Sequence, residues 1–413
     1  MGWFKDHFGK RMKGKQEAPA SNAYLSEKEA KAAPAAAPAA AAAAPAAAPA
    51  KAGHVEYKAA ELPQGADALI PSPPGGKIKI AIYWCAGCGG CDVSILDTNE
   101  TVLSIAQMAD IVMWPVAIDG KEKDIEAMED GEITVSIING AIRNTENAHM
   151  AKLLRKKSKL VVAYGSCAMF GGTPSLANLV GGGADEILDY VYRKTPTSAN
   201  FHADCGCDTV PVTSFEAPEG TLTLPVLFDT VKALDQVVDV DYYIPGCPPL
   251  YESISHLVKA LVDFVYSGVA LPPKGAEIGV TEKCLCDECP RVKNYERITD
   301  IKEPYQVNID PEKCLMDQGI LCLGPATVGG CNARCTRVGQ PCRGCYGPTQ
   351  FVTEHGASAL SAIASLFPVL DEDPTMDEEK VIEIMKSIKD PLGYFYAYTV
   401  GKSLINRSVV EEN

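Results

Sequence analysis

Three observations predict an α/β fold: a doubly wound parallel sheet, followed by an irregular cysteine-rich segment and preceded by an extension without a core. Between residues 77 and 246, five short apolar runs alternate with stretches of helical periodicity. Beyond about residue 270 that alternation stops, and residues 282–348 hold nine of the sixteen cysteines. The first 75 residues are dominated by Ala, Pro and Lys, a composition unlike the rest.

Taken in order, residues 1–15 (MGWFKDHFGKRMKGK) place Phe4, Phe8 and Met12 at helical spacing among Lys5, Lys10, Arg11, Lys13 and Lys15. This is either a docking helix or a frayed, solvated terminus. Residues 31–52 are almost pure Ala and Pro, with too little large apolar surface to offset the entropy of folding, so residues 1–75 read as a mostly disordered extension and tether. The runs KIKIAIYW (77–84), ADIVMWPVAI (109–118), ITVSIING (133–140), KLVVAYG (159–165) and VDYYIPG (240–246) read as buried parallel strands. Stretches 92–108 and 145–157 have the length and periodicity of covering helices. The expected domains are 76–270 for the sheet, 271–350 for the cysteine-rich unit and 351–413 for a helical tail. A helix over 359–367 and the aromatic residues Tyr394, Phe395 and Tyr396 are expected to pack back on the rest.

The charge of −15 argues against nucleic-acid binding, which uses a basic face. No apolar run approaches the roughly 18 residues of a membrane span, because prolines 38, 45 and 49 break the Ala-rich stretch. The chain shows no secretory apolar core and no twin-arginine signal, and its cysteines fall in tight ligand-like groups. Reduced thiolates in the cytoplasm are the expectation. There is no Walker loop and no Gly-x-Gly-x-x-Gly fingerprint, so any bound nucleotide or flavin belongs to a partner.

Three cysteine groups directly follow predicted strands: Cys85, Cys88 and Cys91, then Cys167, then Cys247. In a doubly wound sheet the loops at the carboxyl ends of strands converge, so thiols distant in sequence meet there. Flanking glycines let the backbone approach a bulky inorganic cluster. Buried apolar cysteines, or half a zinc site, are the competing readings. The motifs Cys88-Gly-Gly-Cys91, Gly-Ser-Cys167-Ala-Met-Phe-Gly-Gly and Pro-Gly-Cys247-Pro-Pro closely resemble the proximal-cluster motifs of nickel–iron hydrogenase small subunits, in the same order, within a resemblance spanning residues 77–370. The resemblance implies a flavodoxin-like sheet domain and a 4Fe-4S cluster on Cys88, Cys91, Cys167 and Cys247. Cys85 departs from the family pattern, and Cys85 with Cys88 also fits Cys-x-x-Cys, which leaves open which pair binds.

The second segment reads Cys286-x-x-Cys289, Cys314, Cys322, Cys331, Cys335 and Cys342-Arg-Gly-Cys345-Tyr-Gly-Pro, which supplies eight thiols. Eight fit two cubane clusters, with Cys₄ zinc as the alternative. The stretch DQGILCLGPAT…GGC…PCRGCYGP resembles the medial and distal region of the cytoplasmic hydrogenase small subunits. That resemblance implies a distal 4Fe-4S cluster on Cys286, Cys289, Cys314 and Cys322 and a medial one on Cys331, Cys335, Cys342 and Cys345. Cys85, Cys205, Cys207 and Cys284 stay unassigned.

By the same resemblance, the chain is the electron-transferring small subunit of a hydrogenase whose nickel–iron centre lies on a partner large subunit. Electrons would leave through a 2Fe-2S adaptor subunit to a heterodisulfide reductase complex, or through a flavin subunit that reduces deazaflavin. A cluster-bearing quinone-side subunit of a complex-I-like enzyme would share the first domain, but residues 282–348 count against it. A scaffold stapled by structural zinc is the reading from another class. Asp92 reads as the cap of the helix that follows it, with a proton-passing carboxylate as the alternative. His149, His202 and His256 lack partner patterns and read as structural.

Overall fold

Along the first apolar run, alternation sends Ile80 and Ile82 to one face of the chain and Ala81 and Tyr83 to the other, and all four are buried. A strand buried on both faces needs helices on both sides. The structure, a computed structural model, describes residues 76–99, 101–199, 210–368 and 377–406, and the basic start, the Ala/Pro tether, His202, Cys205 and Cys207 lie outside them.

Six parallel strands form the sheet: β1 (Ile78–Trp84), β2 (Ala109–Met113), β3 (Ile133–Asn139), β4 (Ser158–Tyr164), β5 (Tyr242–Ile244) and β6 (Ala276–Glu277). Their order across the sheet is β2-β1-β3-β4-β5-β6, the flavodoxin-like order extended by one short edge strand. On one face, helix α3 (Thr145–Lys157) packs Met150, Ala151 and Leu154 onto Ala81, Tyr83, Ile138, Val161 and Ala163. On the other, helix α5 (Tyr251–Ser267) packs Ile254, Leu257, Val258 and Leu261 onto Ile80, Ile82, Val135, Val162 and Tyr242. The Asn144 side chain caps α3 by accepting from Asn147 N at 2.8 Å, and Arg155, Lys156 and Lys157 close its last turn.

The helix expected over 92–108 is two: α1 (Gly90–Leu96) and α2 (Thr101–Met108). Asn99 breaks it with φ 52°, a left-handed conformation that Asn adopts more readily than most residues. A short helix, α4 (Ser166–Phe170), follows β4 directly. Two antiparallel pairs that the sequence did not signal stand apart from the main sheet, Ser214–Ala217 with Gly220–Thr223 and Ile142–Asn144 with Leu227–Lys232.

From Ile278 to Glu354 the chain has only short 3-10 turns and one four-residue helix. It does have an apolar core, although nine cysteines and few strand or helix signals in 282–348 point to metal rather than a large apolar core as its organiser. Leu285, Ile298, Met316, Leu321 and Leu323 pack with Ala359 and Ile363 of α6 (His355–Ala364), Ile384 of α7 (Glu378–Lys386), and Phe395 and Tyr396. Much of that core is contributed from beyond residue 350.

Candidate functional site

The carboxyl ends of β1, β4 and β5 carry the first thiols. Strand alternation continues past β1, so Cys85 falls on the face of Ala81 and Tyr83 and is buried in that core. Its thiol is pushed up by burial and then by the Glu146 carboxylate, and no cysteine contributes. Cys91, in the first turn of α1, packs against the opposite core. Burial pushes the Cys91 thiol up, followed by the thiols of Cys167 and Cys247, Asp92, and the thiol of Cys88. Cys167 is pushed up to about 12 by burial, then by Cys247 and Cys88. Cys247 is raised by burial and Cys88. Cys88, Cys91, Cys167 and Cys247 therefore face one another, and Cys85 does not join them. Gly165 adopts φ 87°, and a Cβ there would lie 2.5 Å from Cys91 Sγ, so only glycine lets the β4 turn pass this thiol.

Asp92 does not cap α1. The N-cap position is Gly89, with no side-chain cap, and the Asp92 side chain points inward with the residue fully buried. Its Oδ1 accepts from Trp114 Nε1 at 2.8 Å and its Oδ2 from Asn139 Nδ2 at 3.0 Å. Beside it, Ser94 Oγ donates to Cys91 O at 2.7 Å and lies 2.7 Å from Tyr164 Oη.

In the cysteine-rich segment, side chains replace regular secondary structure in satisfying the backbone. Arg291 donates to the carbonyls of Thr336, Asp310 and Lys313, and Asp317 accepts from the amides of Asn294 and Glu296. The tight turns so held aim amide N–H groups at sulfur. Met316 and Asp317 donate to Cys314, Gly324 and Cys342 to Cys322, Ala333 and Arg334 to Cys331, and Gly344 to Cys342. Asn332 and Ala333 hold φ 53° and 48° in the turn after Cys331, a strained pair for non-glycine residues that serves to aim those amides.

Two further sets of thiols come together. Cys322 is pushed up to about 11 by burial, partly offset by the Gly324 and Cys342 amides, with Cys314 and Cys289 adding upward pressure. Cys286 also lies near Cys322, and a Cβ on Gly324 would sit 3.1 Å from Cys286 Sγ and 3.6 Å from Cys322 Sγ. Cys345 is pushed up to about 12 by burial, then by Cys331, Cys247 and Cys335. Cys342 is raised by burial and lies near both Cys322 and Cys345. The sets thus stand in series. Cys247 meets Cys345 at one junction, with its backbone amide donating to the Cys345 sulfur, and Cys342 N donates to Cys322 Sγ at 3.3 Å at the other. Ser166 Oγ on α4 donates to the Cys345 carbonyl, fastening the first junction. Cys284 sits beside the outermost set. Its thiol is lowered to about 7 by a hydrogen bond from Cys286, and it lies 3.2 Å from Asp287 Oδ2.

As thiolates, buried groups such as Cys91, Cys167, Cys322, Cys342 and Cys345 repel their neighbours and lose hydration, which is why these are pushed up; a cationic centre reverses both effects. His149 pairs with Glu122 at 2.6 Å on the surface, and His256 is part-buried on α5.

Residues 88–261 match the family described as "NADH ubiquinone oxidoreductase, 20 Kd subunit". The iron-sulfur subunit of the F420-non-reducing hydrogenase of Archaeoglobus profundus is 36% identical over 338 residues, which cover 80% of this chain and 99% of that protein. The corresponding F420-non-reducing hydrogenase subunit of Methanothermobacter marburgensis is 38% identical, covering 81% and 98%. Among solved structures, a chain of an NAD+-reducing [NiFe]-hydrogenase in the H2-reduced state aligns at 30% identity over 48% of this chain and 97% of that one, with a TM-score of 0.38. With near-complete coverage of both F420-non-reducing relatives, the chain belongs to their family, the small subunits of nickel–iron hydrogenases.

Proposed function

We propose that this chain holds three 4Fe-4S clusters in a line and so conducts electrons, one at a time, away from dihydrogen oxidation at the nickel–iron centre of a partner large subunit. Cys88, Cys91, Cys167 and Cys247 hold the proximal cluster, Cys331, Cys335, Cys342 and Cys345 the medial one, and Cys286, Cys289, Cys314 and Cys322 the distal one. The observation that carries this reading is the series of two junctions, Cys247 with Cys345 and Cys342 with Cys322. When bound, such clusters supply one-electron redox steps over a range of about −700 to +450 mV, tuned by hydrogen bonds to sulfur and by burial. The residues of this chain do the tuning. Turn amides point at Cys314, Cys322, Cys331 and Cys342, and apolar side chains exclude water around Cys322 and Cys342.

The acceptor is a heterodisulfide reductase complex reached through a 2Fe-2S adaptor subunit, and the complex works in the cytoplasm, where thiolates persist. The relatives named above belong to F420-non-reducing enzymes, which favours this over a flavin subunit that reduces deazaflavin. No helix of the described residues is long and apolar enough to cross a membrane.

The test is iron, acid-labile sulfide, nickel and zinc per polypeptide in the anaerobically purified complex, with the EPR spectrum of the dithionite-reduced sample. About twelve irons and twelve sulfides on this chain, with nickel travelling on a larger subunit, are expected. Zinc with little sulfide would overturn the reading in favour of a stapled scaffold.

A further inference from the structure

Asp92 is the residue directly after a thiol of the first set, and its surroundings are unusual for a carboxylate. It is completely buried, its side-chain donors are the neutral indole of Trp114 and the neutral amide of Asn139, and among the described residues no Lys, Arg or His forms an ion pair with it. Carboxylates are almost never fully buried unless paired, so here the two N–H donors stand where a cation usually does. The donors are built for it. Trp114 follows β2 and Asn139 ends β3, so neighbouring strands on either side of β1 each aim one N–H at a different Asp92 oxygen. Asp92 follows Cys91 directly in the first turn of α1, one residue from whatever Cys91 holds. A negative charge fixed there in the buried interior opposes adding an electron to that group.

We propose that Asp92 is a positioning residue whose buried carboxylate lowers the reduction potential of the cluster on Cys88, Cys91, Cys167 and Cys247, so that an electron arriving there passes on toward Cys345 instead of resting. The step concerned is the gain and loss of one electron by a 4Fe-4S cluster, with the electron supplied by dihydrogen oxidation and no bond made or broken in this chain. Asp92 touches neither substrate nor electron acceptor; it acts through the field at Cys91. The inference rests on the assignment of those four cysteines.

The experiment is an EPR-monitored redox titration of the purified hydrogenase complex carrying Asp92→Asn, Asp92→Ser or Trp114→Phe, with iron counted on each. Removing the charge is expected to raise the ratio of reduced to oxidised proximal cluster about tenfold at a fixed solution potential, 59 mV for a one-electron step. The other two clusters serve as internal standards and stay in place. Trp114→Phe disturbs the same pocket but keeps the charge, and moves the proximal signal by less than a third of that shift. An unmoved proximal signal in both Asp92 variants overturns the proposal. So does an equal shift in Trp114→Phe, which would make packing the cause, and so does loss of the cluster in both Asp92 variants with retention in Trp114→Phe, which would make Asp92 a folding residue. A wild-type chain lacking the proximal cluster would instead defeat the four-cysteine assignment, so the two failures are distinguishable.

Discussion

The two halves of the molecule position thiols by different physics. In the sheet half, Cys91, Cys167 and Cys247 sit where strands end, and the strands are held by apolar cores on both faces and by continuous ladders of backbone hydrogen bonds. In the cysteine-rich half, the backbone is held by Arg291, Asp317 and Gln318 reaching into it, and Cys322 and Cys342 are themselves part of the core. On the assignment proposed above, the first half carries its ligands at strand ends, outside the ladders. The second half counts Cys322 and Cys342 among the members of its main core, so binding free energy there is also folding free energy.

The largest expected effect breaks the molecule along that line. Stripping iron anaerobically with chelator and oxidant, then measuring amide hydrogen exchange, should abolish protection across residues 284–346. Amides of β1, β3 and β4 should keep theirs within about tenfold, since their ladders contain no cluster ligand and Cys91 only borders the core on the α5 side. Equal loss in both halves would contradict the contrast.

That contrast also explains what is legible in the sequence. The five apolar runs are strands β1 to β5 because fully buried parallel strands advertise themselves as unbroken apolar runs, and helix α3 spans Thr145–Lys157 as its periodicity and its Asn144 cap require. The edge strand β6 is two residues long and has no pattern to detect. Asp92 misleads because a carboxylate after Gly89-Gly90 looks like a cap, and only the distant Trp114 and Asn139 reveal its inward direction. The core under the cysteine-rich segment is hidden for a related reason: its halves are separated in sequence, with Leu321 and Leu323 meeting Ile363 and Phe395. Alternation along β1 does carry the information that Cys85 faces away from Cys91, once it is followed past the last strand residue.

A smaller effect sharpens the claim that the sheet half stands without metal. Asp241, at the amino end of β5, accepts from Arg155 Nη1 at 2.5 Å and from Val161 N at 2.8 Å, and pairs with Lys274, tying α3, β4 and the approach to β6 together. Burial raises its carboxyl pKa, but the hydrogen bonds from Lys274, Arg155 and Val161 outweigh that and leave it lowered. A lowered folded-state pKa adds stability above the unfolded value, near 3.9, and that stability is lost as pH falls through the folded value. Asp241→Asn should therefore destabilise by about 2–4 kcal/mol at pH 7. The gap from the wild type should close below about pH 4, measured by chemical denaturation followed through the exchange of β4 and β5 amides. A gap unchanged at low pH would show that the group contributes by shape and not by charge.

The smallest expected effect bears on which cysteines of the first loop hold the cluster. Cys85 and Cys88 share the Cys-x-x-Cys spacing of Cys88 and Cys91, so spacing cannot choose between them. The faces of the sheet can, because Cys85 is packed with Tyr83 and Ile138 on the α3 side while Cys91 packs on the α5 side with Cys167, Cys247 and Cys88 around it. For Cys85 to bind, β1 would have to shift register by one residue and turn its whole apolar set over. Cys85→Ala should then cost on the order of 1 kcal/mol of packing and leave the iron content and the proximal EPR signal unchanged, whereas Cys91→Ala should lose that signal. If Cys85→Ala loses the cluster and Cys91→Ala keeps it, the sheet face that carries the site has been read the wrong way round.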